Sequence, residues 1–252
     1  IKAVGNIRRI TKTMQMIATS KFARAQAAAL AGKPYTETLF ALVNELAAGL
    51  GDVTHPLLDS GKGGARPGKE LTLVLTSDRG LCGPYNGSVL RTAMALFRAN
   101  PSAKALVEVV GKKGVGFFRF GSVDVTRTHA LGDKPSYATV TAIAEEFIQR
   151  FRSGEVSTVR VVYMKYVSAG RQTPTTMQLL PFQPVAKPAA EKAAGPANIY
   201  EFSPDAETLL GDLLPAAVKA LLFQAVNDAV VSEHVARMVA MKAATDNAGK
   251  MG

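Results

Sequence analysis

Cysteine is almost absent from this chain of 252 residues, because Cys82 is the only one. A single cysteine excludes an internal disulfide and any metal site built from several cysteines, as is usual in a reducing compartment. The sequence also lacks an uninterrupted apolar run of about 18 residues, so we expect no transmembrane segment. The N-terminus has no apolar centre of the kind found in signal peptides. We therefore expect any association with a membrane to go through partners.

Acidic residues are missing from the beginning of the chain, where the first one is Glu37. Proline is also missing before Pro34, so residues 1–30 predict one helix about 45 Å long at 1.5 Å per residue. The cations of this segment are Lys2, Arg8, Arg9, Lys12, Lys21 and Arg24. No acidic residue lies one turn away to balance them, and the whole chain carries a net charge of +10. This positive charge favours binding to an anionic partner, which is a nucleic acid, lipid head groups or an acidic protein surface.

Apolar residues in the same segment recur every three or four positions, which places them on one side of a helix. They are Val4, Ile7, Ile10, Met14, Ala18, Phe22, Ala25 and Ala29. A helix this long cannot bury such a stripe on a small domain, so it needs a second long helix. Residues 215–251 supply one, since their apolar residues also keep to one side and Pro215 suits a first turn. We predict a two-helix coiled coil of the chain's ends, with the residues between them folding as a separate body.

The intervening residues alternate between short apolar runs and amphipathic segments, which predicts an α/β domain, Rossmann-like in outline, over 70–200. Predicted strands cover 71–76, 105–110, 123–126, 159–167 and 175–181, and predicted helices cover 86–98, 112–119 and 135–152. Gly32 to Pro34 predict a bend, after which 35–50 resumes a helical pattern within an N-terminal unit of 1–58. A flexible loop is expected at 184–196, followed by a short helix at 205–214 and the long helix, so that the C-terminal unit spans 205–252.

Two glycine-rich segments resemble nucleotide-binding motifs without matching them. Residues 63–70 (GGARPGKE) have phosphate-loop spacing, but Glu70 replaces the magnesium-binding Ser or Thr and the segment precedes a strand. Residues 111–116 (GKKGVG) follow a strand but do not match G-x-G-x-x-G, so a glycine-permitted turn is the better interpretation. The histidines, His55, His129 and His234, lie far apart, and no histidine lies near Cys82. We therefore predict no catalytic site, no cofactor and no metal in this chain, and a buried thiol at Cys82.

Three segments together resemble the gamma subunit of the bacterial F-type rotary ATP synthase. They are residues 7–25 (IRRITKTMQMIATSKFARA), 76–86 (TSDRGLCGPYN) and 232–248 (SEHVARMVAMKAATDNA). The resemblance runs in the same order over essentially the whole chain. It implies that the terminal helices form an antiparallel coiled coil, the central shaft inside a hexamer of alpha and beta subunits. It also implies rotary coupling, in which proton flow turns a membrane ring and the shaft drives the beta subunits through ATP synthesis or hydrolysis.

The resemblance further implies which residues meet partner subunits. Contacts with an acidic loop of the beta subunit are implied for Arg8, Arg9, Lys12 and Met14, and for Arg237, Met238 and Lys242. The foot of the shaft, near the membrane c-ring and the epsilon subunit, is implied for Lys33, Tyr35, Tyr200 and Glu201. The family's signature turn corresponds to Asp78, Arg79, Gly80, Cys82 and Gly83, which we interpret as a structural joint between sheet and shaft.

Catalysis in this family belongs to the beta subunits, and the resemblance implies no nucleic acid partner. It implies a peripheral location, within the complex, at the cytoplasmic face of the bacterial plasma membrane. Residues 184–196 contain no cysteine, so we expect none of the thiol switching known in chloroplast relatives.

Two alternatives remain open from the residues themselves. The basic helix could bind nucleic acid phosphates, although few aromatic residues accompany its cations for stacking. The middle domain could instead hold a nucleotide as an α/β enzyme, although both glycine motifs depart from the required pattern.

Overall fold

A computed structural model describes residues 2–49, 55–58, 68–99, 105–183 and 206–251. Two helices of 48 and 46 residues dominate it, α1 (Lys2–Gly49) and α5 (Ala206–Met251). They run antiparallel: the hydroxyls of Thr11 and Thr245 are 2.8 Å apart, and Arg8 lies beside Gly249. The predicted pairing of the two ends of the chain is therefore confirmed.

Between the long helices the chain forms one five-stranded sheet in the order β3-β2-β1-β4-β5. The strands are β1 (Lys69–Leu75), β2 (Leu106–Val110), β3 (Arg127–His129), β4 (Val156–Ser168) and β5 (Arg171–Leu180). Strand β1 pairs in parallel with β2 and β4, and β2 pairs in parallel with β3, whereas β5 is antiparallel to β4. Helices α2 (Tyr85–Ala99), α3 (Lys112–Phe120) and α4 (Tyr137–Arg152) connect the parallel strands. The mixed α/β architecture is as predicted.

The continuous apolar run of β1 reflects burial on both faces of the sheet. Leu71, Leu73 and Leu75 belong to a core shared with α4 and α5, while Val74 faces a second core beneath α2 and α3. Alternate side chains of a strand point to opposite faces, so both faces need apolar residues here.

The lower part of the helical pair packs directly on this sheet. Residues 39–46 of α1 and 210–229 of α5, which we call the lower shaft, contribute to the same buried core as β1, β4 and α4. The middle domain that the sequence predicts as a separate body therefore shares its core with the shaft helices. The division of the chain at 1–58, 70–200 and 205–252 stays a prediction.

Both prolines that the sequence places at helix boundaries lie inside helices, so the predicted bend at Gly32 to Pro34 and the predicted helix start at Pro215 are wrong. A proline inside a helix removes one backbone hydrogen bond. Burial on both sides of each proline outweighs that loss. Ala29 and Leu39, on either side of Pro34, are 5% and 6% exposed, and Leu214 and Val218, on either side of Pro215, are each 0% exposed. The predicted helix at 205–214 is the first part of α5, and the loop predicted at 184–196 lies outside the described residues.

The predicted strand at 123–126 is also wrong, because the third strand lies later, at β3. Thr126 is instead attached to β2 through both its N–H and its hydroxyl, which donate to the carbonyl of Val107 at 2.8 and 3.0 Å. Residues 127–129 then complete the parallel pairing with β2.

By length and composition α5 could cross a membrane, although the sequence contains no uninterrupted apolar run of about 18 residues. Many of its apolar residues are covered by protein instead. Val218, Leu222 and Val235 are each 0% exposed, as expected for the central helix of a folded core.

Candidate partner-binding surface

The signature turn follows β1 and is held by its own hydrogen bonds. The N–H of Ser77 donates to Oδ1 of Asn86 at 3.0 Å, and the hydroxyl of Ser77 donates to the carbonyl of Arg79 at 2.7 Å. The turn also requires unusual backbone angles, since Leu81 and Gly83 have φ values of 63° and 54°. These bonds and angles fix the direction in which the chain leaves the sheet.

Cys82 and Asp78 have structural partners in this turn. The Cys82 thiol is 2% exposed and accepts from the amide of Asn86 at 3.3 Å, which confirms the expected buried thiol. The carboxylate of Asp78 accepts from the N–H of Lys112 at 3.1 Å, at the start of α3. A carboxylate at this position neutralises the positive end of the helix dipole.

Arg237 joins this turn to the long helix α5. Its guanidinium donates to the carbonyl of Arg79 at 3.1 Å and to that of Gly80 at 3.4 Å. The same group forms an ion pair with Glu233 at 2.7 Å and is only 12% exposed. In this conformation Arg237 contacts its own chain, and its predicted contact with a beta subunit stays a prediction.

Tyr85 makes a second link between sheet and shaft. Its buried hydroxyl donates to the carbonyl of Ala229 on α5 at 3.1 Å. Burial, with further contributions from Glu233 and Cys82, raises the pKa of Tyr85 well above its usual value, so the hydroxyl keeps its proton. The sequence did not identify Tyr85 and Glu233 as residues that link the sheet to the shaft. For Tyr85, the one indication was its position within residues 76–86, the segment that contains the signature turn.

The glycine-rich segment 111–116 serves packing at the carboxyl edge of the sheet. Gly111 has a φ of 94°, and a Cβ atom there would lie 2.3 Å from the carbonyl oxygen of Thr76. A Cβ on Gly114 would lie 2.6 Å from the Thr76 hydroxyl, to which the Gly114 N–H donates. The expected glycine-permitted turn is therefore confirmed. At the edge where α/β sheets commonly bind ligands, these glycines bring α3 against the end of β1.

Three other residues considered in the sequence analysis, Glu70, His129 and His55, also have protein partners. Glu70 binds Arg160 on the neighbouring strand at 2.5 Å, and His129 binds the buried Glu108 at 2.6 Å. The ring of His55 accepts from the N–H of Leu57 at 3.1 Å. Across the described ranges, no group of three or more His, Cys, Asp or Glu side chains could hold a metal ion.

The far end of the helical pair carries the predicted basic face. We call residues 2–18 of α1 and 238–251 of α5 the upper shaft. Within the part of the chain that the structure describes, the side chains of residues 2–18 form hydrogen bonds or ion pairs only within α1 itself and with α5. Such contacts with the sheet and its loops begin at Lys21, which binds Asp133 at 2.5 Å.

Four of the sequence-predicted contact residues lie exposed on the upper shaft. They are Arg8, Arg9, Lys12 and Lys242, and none of them forms an ion pair with a described residue. Met14 and Met238 are half-buried beside them. The structure thus brings both halves of the predicted beta-subunit set onto the same rod, except that Arg237 is turned toward the sheet.

Ile7 and Ile10 do not face the partner helix as the sequence predicts; they are 53% and 57% exposed. The seam of a two-helix coil is narrow, so only residues near a spacing of three and a half are covered. Thr11 and Ala18 occupy that seam, which leaves the two isoleucines beside it. Exposed apolar residues between free cations are typical of a surface that contacts another protein.

Two of the four predicted foot residues lie within the described ranges. Lys33 and Tyr35 are exposed on α1, with Lys33 placed 3.6 Å from Glu37. Tyr200 and Glu201 lie outside the described residues.

Comparison with known proteins identifies relatives of the whole chain. The model of the ATP synthase family matches residues 1–252. The chain is 38% identical to the ATP synthase gamma chain of Rhodopirellula baltica, covering 99% of this chain and 86% of that protein. It is 39% identical to the gamma chain of Desulfitobacterium hafniense, covering 98% and 84%. Among solved structures, the central stalk and c-ring of the Tetrahymena thermophila mitochondrial ATP synthase contain a similar fold, with a TM-score of 0.68 and 21% identity over 93% of this chain and 99% of that one.

Proposed function

This chain belongs to the gamma chain family of ATP synthases, and we propose that α1 and α5 form the central shaft that turns inside the hexamer of alpha and beta subunits. Rotation driven by proton flow through the membrane ring would then be transmitted to the beta subunits, where ATP is made or hydrolysed. The observation that carries the proposal is the upper shaft, an antiparallel rod whose cations and isoleucines have no covering partner among the described residues.

The electrostatics of the upper shaft suit a rotating contact. Arg8, Arg9, Lys12 and Lys242 are exposed, and exposed charges guide association and register without the strong fixation of a buried ion pair. We propose that these cations, with Met14 and Met238, meet an acidic loop of the beta subunit. Arg237 joins them when its bonds to the signature turn are released.

We propose that catalysis takes place in the beta subunits and that this chain has a mechanical role. The supporting observation is the carboxyl edge of the sheet, where Thr76, Gly111 and Gly114 pack against one another. We propose that the opposite end of the rotor, with Lys33, Tyr35, Tyr200 and Glu201, meets the epsilon subunit and the membrane c-ring. The chain would then act at the cytoplasmic face of the bacterial plasma membrane as a peripheral component of the complex.

Reconstitution with alpha and beta subunits tests the shaft directly. The triple variant Arg8→Gln, Arg9→Gln, Lys12→Gln should assemble but change ATP turnover several-fold, because it removes the free charge that faces the hexamer. The matched control removes three exposed cations from α2 and α3: Arg98→Gln, Lys112→Gln and Arg119→Gln. We expect the control to behave like the unmodified chain. If the chain itself leaves assembly and turnover of alpha and beta unchanged, the proposed function is wrong.

A further inference from the structure

A cleft of about 650 Å³ lies between α1, α5 and the turn before α4. Its apolar lining consists of Ala25 and Ala28 from α1, Val230 from α5, and Pro135 from the turn. The volume lies within the range of about 300–1,000 Å³ that small-molecule sites occupy. The small side chains of α1 keep the cleft open where bulkier residues would close the gap between the two helices.

Two buried polar atoms in the lining have no hydrogen-bond partner among the residues that the structure describes: Nδ2 of Asn227 and Nδ1 of His234. Both residues line the cleft from α5, and they are 8% and 3% exposed. Buried polar atoms in folded proteins are nearly always paired, because burying one without a partner is costly. The amide nitrogen of Asn227 is a donor, and no described side chain supplies its acceptor, so an acceptor atom of a ligand can fill that position.

Positive charge surrounds the cleft. Lys21, Arg24 and Lys134 line it together with one carboxylate, Asp133, which is bound to Lys21 at 2.5 Å. Arg24 and Lys134 form no ion pair with any residue in the described ranges. Burial, assisted by Arg237 and Lys21, lowers the pKa of His234 to about 4, so the ring is neutral near pH 7 and adds no charge. The excess charge favours an anion.

We propose that this cleft binds an amphipathic carboxylate, a medium-chain fatty acid, between the two shaft helices. The carboxylate oxygens accept a hydrogen bond from Asn227 and face Arg24 and Lys134. The apolar chain lies along Ala25, Ala28 and Val230. An inorganic anion satisfies the charges but not this apolar lining, and a neutral apolar molecule leaves Asn227 without an acceptor.

Calorimetric titration of the chain with decanoate tests the site, with decanol and acetate as matched probes. Decanol keeps the apolar chain without the charge, and acetate keeps the charge without the chain. We expect decanoate to bind at least about tenfold more tightly than either, since a charge-assisted bond and the apolar contact act together. Equal affinity for decanoate and decanol, or no binding of decanoate, would overturn the proposal.

Two substitutions at exposed positions locate the site without disturbing the core. Ala28→Phe fills the cleft and should abolish decanoate binding, while Arg24→Gln should weaken decanoate about tenfold and leave decanol unchanged. Lys2→Gln, at the far end of α1, is the charge-matched control and should leave decanoate affinity unchanged. Decanoate binding that survives both cleft substitutions would place the ligand elsewhere and contradict the assignment. Because this readout is ligand binding by the chain alone, it is independent of assembly with alpha and beta subunits.

Discussion

The lower and upper shaft are parts of the same two helices, yet they are held by different surroundings. In the lower shaft, Val43, Leu214 and Leu222 are each 0% exposed and pack with the sheet and α4. In the upper shaft, Ile7 and Ile10 are more than half exposed, and α1 is hydrogen-bonded to α5 through Thr11 and Thr245. Burial of apolar area is the main source of stability, so the lower shaft anchors the fold.

The difference separates stability from function along a single helix pair. A rod that contacts a surrounding partner must leave apolar and charged groups uncovered, and residues 2–18 do so. A rod that transmits torque must be fixed to its base, and the contacts of Arg237 and Tyr85 fix α5 to the sheet. Along α5, the lower shaft (residues 210–229) and the upper shaft (residues 238–251) are roughly 15–60 Å apart at 1.5 Å per residue.

The largest expected effect is a core truncation in the lower shaft. Leu222→Ala should lower the free energy of unfolding by about 2–5 kcal/mol, because it leaves a cavity in a fully buried position. Ile7→Ala, the matched truncation in the upper shaft, should change it by less than about 0.5 kcal/mol. Urea denaturation of both variants measures the comparison. Equal losses would show that the two regions do not differ in the way their burial indicates.

A buried carboxylate makes the lower shaft sensitive to pH. Burial raises the pKa of Asp228 from 3.8 to about 6, against the opposing effects of Gln224, Lys165 and Lys33. Because the folded-state pKa is the higher one, the stabilisation is fully present below pH 3.8 and is lost as the pH rises through 6. Asp228→Asn should therefore stabilise the protein by up to about 3 kcal/mol at pH 7 and by little at pH 4. Unfolding curves between pH 4 and 7 test this, and a gain that does not vary with pH would contradict the assignment.

The smallest effect concerns the link between sheet and shaft. Tyr85→Phe removes the hydroxyl that donates to Ala229 and should cost about 0.5–1.5 kcal/mol, since the carbonyl loses one partner. Tyr35→Phe removes an exposed hydroxyl from the same shaft and should cost almost nothing. Hydrogen exchange of the amides around Ala229 should quicken in the first variant alone, and unchanged exchange there would show that the bond does not hold α5.

Much of the fold could be predicted because its signals are local. The strand at β1 and the helix over 137–152 follow from short patterns of residues, and Ser136 caps that helix by accepting from the N–H of Thr139 at 3.1 Å. Pro34 and Pro215 misled the prediction because their local preference was outweighed by packing on distant residues. Helix propensity is a weak guide where tertiary contacts compete with it.

The charged residues of the candidate surface could be predicted from the sequence, but their orientation and contacts could not. The absence of acidic residues before Glu37 identified Arg8, Arg9 and Lys12 as unbalanced cations, and they are exposed. Arg237 resembles them in sequence, yet it binds carbonyls 157 and 158 residues away, a pairing that no local pattern encodes. The cleft lined by Asn227 and His234 likewise arises only when α1 and α5 come together.

Photo-cross-linking in the assembled complex tests the central claim most directly, that the upper shaft is the surface that meets the hexamer. A photoreactive residue in place of Ile10, which is 57% exposed, should form an adduct with a beta subunit. The same residue in place of Lys112, on α3, should form none. An adduct from Lys112 and none from Ile10 would contradict the account, because the uncovered end of the rod would then lie outside the hexamer.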